Sequence, residues 1–72
     1  MDTYEKLANA IILRAVEDYR DAVKRLRYFP HDRDSRHTKA EVERFFRSGW
    51  FSTLTSLAPE MLIERLTSEV SV

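Results

Sequence analysis

Residues 42–66 read VERFFRSGWFSTLTSLAPEMLIERL, and how this stretch is partitioned decides the fold. It holds the only Trp, the only Gly and three of the four Phe of the chain. Gly49 is well placed to stop a helix in a left-handed conformation. Trp50, Phe51, Leu54 and Leu57 then follow at i, i+1, i+4 and i+7, the spacing of a short helix. Ala58-Pro59 breaks that helix, and Pro59 suits the first position of the next one. Leu62, Ile63 and Leu66 give that last helix a buried stripe, with fraying expected from Thr67.

Working towards the N-terminus, Thr38-Lys-Ala-Glu41 has the form of a capping box, in which Glu41 reaches back to the Thr38 amide. The helix it opens carries Val42, Phe45 and Phe46. Residues 30–37, PHDRDSRH, show no helical periodicity and read as a polar connector. Before it, Leu7, Ala8, Ile11, Ile12, Ala15, Val16, Tyr19, Ala22, Val23 and Leu26 recur with the rhythm of an amphipathic helix. Asp2 or Thr3 caps that helix, and Pro30 ends it because the residue before a proline is pushed out of helical geometry.

The chain therefore reads as an all-α small helical bundle in one domain, residues 1–72, with one long N-terminal helix packed against about three short ones. The expected bounds are about 3–29, 39–48, 50–57 and 59–68, with the connector at 30–37. Phe45, Phe46, Trp50, Phe51 and Leu54 are expected to meet Ile11, Ala15, Tyr19 and Val23 as a core. Ile12, Leu13, Val16 and Tyr28 widen the first helix's apolar stripe beyond one partner, which predicts a homodimer through that helix.

Seventy-two residues bury only about 60% of the unfolded chain's surface, so extra support is expected from packing or self-association. With no Cys, disulfides, thiolate metal sites and a cysteine nucleophile are excluded. No apolar run approaches a membrane span and no signal peptide is visible, so a cytoplasmic chain without membrane contact is expected. His31, Asp32, Asp34 and His37 fit no metal-binding signature, and no metal or cofactor is expected. Glu41, Glu43, Glu60 and Glu64 each have a ready place as a cap, a first-turn acid or a solvated face. No nucleophile elbow or phosphate loop occurs, so no enzymatic activity is expected.

Net charge is zero, but residues 14–47 carry ten Lys and Arg against seven Asp and Glu. The residues singled out for partner binding are Arg20, Lys24, Arg27, Tyr28, Phe29, Arg33, Arg36, Arg44 and Arg47. Arg and Tyr concentrate at interface hot spots, and the Tyr28–Phe29 end of the first helix is the favoured edge. The alternative use of this basic face is DNA or RNA binding by a small regulator. Against it, the segment from Trp50 to Leu57 offers no Lys, Arg, Asn or Gln to read base edges.

The run ERFFRSGWF at 43–51, followed by Leu54 and LIERL at 62–66, resembles a group of short accessory proteins from phages and prophages of Gram-positive bacteria. The upstream Ala15-x-x-Asp18-Tyr19-Arg20-x-Ala22 belongs to the same resemblance, which spans nearly the whole chain. It brings no catalytic residues. It implies a host-cell setting in which such proteins bind a host protein and block it sterically, a defence-system component or CRISPR nuclease among them.

Overall fold

The computed structural model describes residues 3–71, with side chains through Glu69. Four helices make up the fold, with no strand among the described residues: α1 Thr3–Tyr28, α2 Arg33–Phe46, α3 Gly49–Leu54 and α4 Pro59–Ser71. The all-α bundle with one long N-terminal helix is what the periodicity predicts. At 1.5 Å per residue α1 is a rod of about 39 Å, and it sets the 42 Å long axis of the molecule.

α1 ends where Pro30 requires. The chain reverses through Phe29–Asp32, with the Phe29 amide bonded to the Arg25 carbonyl at 2.7 Å and the Asp32 amide to the Phe29 carbonyl at 3.0 Å. α2 then starts six residues earlier than the expected 39. Asp32, not Thr38, is its N-cap: the backbone is extended, and the carboxylate accepts from the Ser35 amide at 3.0 Å and the Ser35 hydroxyl at 2.5 Å. The connector at 30–37 shrinks accordingly to a tight turn. Thr38 and Glu41 lie inside the helix, so their capping box is not used. Once the first turn is nucleated, propagation is easy, and nothing from Arg33 to His37 breaks a helix.

Gly49 does not take the left-handed conformation expected of it; no glycine has positive φ. Ser48 separates the two helices instead. Its hydroxyl donates to the Phe45 carbonyl at 2.7 Å, helping to close α2, and accepts from the Phe51 amide at 3.2 Å, capping α3. Gly49 is simply the first residue of α3. That helix stops at Leu54, three residues short of the expected 57, and Thr55 is extended. Ser52 and Thr53 both turn their hydroxyls back to the Gly49 carbonyl, at 2.7 and 3.0 Å, and such back-bonding competes with helix propagation. Pro59 opens α4 as expected, with Leu62 bonded to the Ala58 carbonyl at 3.1 Å. α4 continues past the expected 68 to Ser71.

α2 runs antiparallel to α1, tied by Tyr19 to Glu43 in the middle and Arg25 to Asp32 at the turn. α4 returns alongside α1, where Arg20 meets Glu69. Tyr19, Phe46, Phe51 and Leu66 form the buried centre, with Ile12, Val16, Val23, Val42, Phe45 and Leu62 packed around it. Phe46 stacks at a tilt against Tyr19 and edge-on against Phe51, at centroid distances of 5.9 and 5.4 Å. Ala8 and Ala22 are also buried on α1. Trp50 departs from the expected core: its ring stands edge-on to Phe45 at a centroid distance of 5.8 Å, but the residue is 58% exposed. Trp50 lies about 100° around α3 from Phe51, and Phe51 holds the inward position.

Candidate interaction surface

A polar network centred on Glu43 meets the core and reaches α4 through Arg47. Tyr19 donates its hydroxyl to Glu43 Oε2 at 2.6 Å, and Lys39 Nζ donates to the same oxygen at 2.7 Å. Burial alone would raise the Glu43 pKa. Hydrogen bonds from Lys39 and Tyr19, with the charges of Lys39 and Arg47, outweigh it and hold the carboxyl below its ordinary value. Burial and the bond to Glu43 push the Tyr19 phenol up. The hydrogen bond to Glu43 raises the Lys39 ammonium as well. The sequence gives Glu43 only a place as a cap, a first-turn acid or a solvated face; its i, i+4 spacing from Lys39 is the available signal for more, whereas the Tyr19 contact depends on helix packing.

Two of the arginines expected at a partner interface are joined to α4. Arg20 grips Glu69 with two bonds, of 2.9 and 3.2 Å, and Arg47 grips Glu60 with two, of 2.5 and 3.0 Å. The bonds from Arg47 hold Glu60 below its usual carboxyl range. Both pairs are exposed, so they set the position of α4 more than they stabilise it.

The remaining candidates fall on three separate surfaces. Lys24 and Arg27 continue the i, i+4, i+7 line of Arg20 along the flank of α1 that faces α4. Arg33, Arg36 and Arg44 lie with Ala40 and Arg47 within an arc of about 80° at 100° per residue, on the exposed side of α2. Among the described residues, Arg33, Arg36 and Arg44 have no ion-pair partner. Tyr28 and Phe29 form the third surface, at the tip of the α1–α2 hairpin, where they are 69% and 63% exposed. With Arg25, Pro30, His31 and Asp32 they line an open recess of about 560 Å³.

Among the described residues no three His, Asp or Glu side chains gather as metal ligands, and Asp32 is engaged as a cap. Its hydrogen bond from the Ser35 hydroxyl is the main cause that lowers its pKa. No described helix is long and apolar enough to cross a membrane. A further apolar groove, of about 810 Å³, runs between α1 and α4, with Val16, Leu57, Met61, Leu62 and Leu66 in its lining. Leu57 and Met61 are 54% and 69% exposed there. Met61 escaped the sequence reading, because its neighbours Leu62 and Ile63 account for the helix's inward stripe. Compared with family models, curated proteins and solved structures, the chain matches none.

Proposed function

We propose that this chain is a non-enzymatic accessory protein that binds another protein and blocks it by covering its surface. The observation that carries the reading is the hairpin tip. Two adjacent aromatic side chains stand out in solvent at a hydrogen-bonded turn, beside Arg25. Holding them there costs apolar exposure that a merely structural turn has no use for, and aromatic residues beside Arg are the usual composition of an interface hot spot. In the phage setting that the sequence resemblance implies, the covered protein is a host component, and inhibition of a defence nuclease such as a CRISPR effector is the specific form proposed.

The test is affinity capture from a bacterial lysate with the wild-type chain and with Tyr28→Ala/Phe29→Ala as parallel baits. The reading expects one stoichiometric protein with the wild type and its loss with the double variant, at unchanged helical content. Equal recovery by both baits removes the tip from the account. A second reading, nucleic-acid binding, is favoured by the outward arginines of α2, a face whose other central residue is the small Ala40. It predicts a retarded random DNA duplex at low ionic strength, with an affinity that falls steeply with salt. No retardation at low salt removes it.

A further inference from the structure

α2 carries arginines seven and four residues before Ala40 and four and seven after it: Arg33, Arg36, Arg44 and Arg47. All five residues are exposed. At 100° per residue, Arg36 and Arg47 fall on one flank of Ala40, and Arg33 and Arg44 on the other. The small side chain is therefore central both along the helix and around it. No acid stands within this stripe. Asp34 and Glu41 lie about 100–120° round the helix from Ala40, and Glu43 is turned to Tyr19 and Lys39. Arg47 is held by Glu60. That leaves Arg33, Arg36 and Arg44 without an ion-pair partner among the described residues.

We infer that α2 lies across the major groove of double-stranded DNA, with Arg33 and Arg36 on the phosphates of one rim and Arg44 on those of the other. This rests on the nucleic-acid reading and names its ligand and its mode of contact. Charge complementarity calls for a polyanion, and spacing selects which one. Arg36 and Arg44 are eight residues apart, about 12 Å along the axis. The major groove of B-DNA opens to about 12 Å, with the phosphates along its rims. Midway between the two arginines, over the opening, the helix carries Ala40, which has neither charge nor bulk. The major groove of an RNA duplex is deep and narrow, so the same arginines do not meet both of its rims. The spacing is set before binding, because α2 is closed at one end by the Asp32 cap and at the other by Ser48. Arginine suits the contact, since its planar fork bonds two phosphate oxygens at once. Contacts to phosphates position a protein without reading sequence, so the binding is sequence-independent.

Fluorescence anisotropy of a labelled random DNA duplex, titrated with the full chain between about 50 and 200 mM salt, tests this. Three phosphate contacts predict a slope of about −2.7 in log K against log salt, a fall of about fortyfold over that range. Arg33→Ala, Arg36→Ala and Arg44→Ala are each expected to flatten the slope by about 0.9 at unchanged helical content. Arg65→Ala removes the same charge from the lining of the α1–α4 groove and is expected to leave the slope as it is. An RNA duplex of equal length is expected to bind at least about tenfold more weakly, and polyglutamate of matched charge is expected not to displace the DNA. DNA binding whose slope is the same in all three single variants overturns the inference and leaves the nucleic-acid reading standing. Equal affinity for the RNA duplex overturns it too. Displacement by polyglutamate overturns it in favour of an acidic protein surface. No binding of the DNA duplex at low salt removes the reading and the inference together.

Discussion

Glu43 is the residue on which the packing of α1 against α2 turns electrostatically. It accepts from Tyr19 across the interface and from Lys39 along its own helix, at 2.6 and 2.7 Å. Hydrogen bonds to a charged acceptor contribute about 1.5–3 kcal/mol each. Tyr19→Phe is therefore expected to cost about 2 kcal/mol in urea unfolding, with the ring still filling its place. The pH dependence has a defined sign. The Glu43 pKa is lower in the fold than in the unfolded chain, so its contribution is complete above the unfolded value and is lost as pH falls through the folded one. The Tyr19 and Lys39 values are raised by folding. Their contributions are complete below the unfolded values and are lost as pH rises through the folded ones, on the alkaline side. Unfolding free energy followed from pH 7 to pH 3 should thus decline less steeply in Glu43→Gln than in the wild type. Equal slopes would show that Glu43 is not the group being titrated.

At the level of elements, Ser48 and Gly49 exchange the parts their residue types suggest. Ser48→Ala removes both the donor to the Phe45 carbonyl and the cap of α3, and is expected to destabilise by about 1–2 kcal/mol. Gly49→Ala is expected to be neutral or stabilising by up to about 1 kcal/mol. The residue is helical, and a Cβ built on it meets nothing within 4 Å. A left-handed Gly49 would give the opposite order, so thermal melts of the two variants decide the boundary. The helices themselves were legible in the sequence because α1 repeats its apolar pattern over seven turns and Pro59 has only one good place in a helix. The α2 boundary was misread because Thr38–Glu41 and Asp32–Ser35 are both sound capping signals. Choosing between them requires knowing that the turn at Phe29–Asp32 closes in three residues. The end of α3 was misread because Leu57 fits the helical period, while hydroxyl back-bonding and the extended Thr55 leave no trace in apolar spacing.

For the molecule as a whole, the aromatic cluster divides into a clasp and an outlier. Phe46 is fully buried between Tyr19 and Phe51, and Phe46→Ala is expected to cost about 3–5 kcal/mol. A chain of this length has only about 4–11 kcal/mol in total, so that variant should lose cooperative melting by circular dichroism. Trp50→Ala, at a position 58% exposed, should keep it. Which residues of 42–66 hold the fold was thus readable from that stretch, Trp50 and Leu54 excepted. The sequence named the binding candidates but could not say that they would part onto three surfaces. Their separation follows from the antiparallel α1–α2 hairpin, which carries Tyr28 and Phe29 to its tip and turns the α2 arginines outward. The central claim is that binding resides at that tip and stability in the clasp. Titration calorimetry of the captured partner against the wild type and Tyr28→Ala/Phe29→Ala tests it most directly. The account predicts a loss of affinity of at least about thirtyfold with an unchanged melting temperature. Undiminished affinity in the double variant would contradict it.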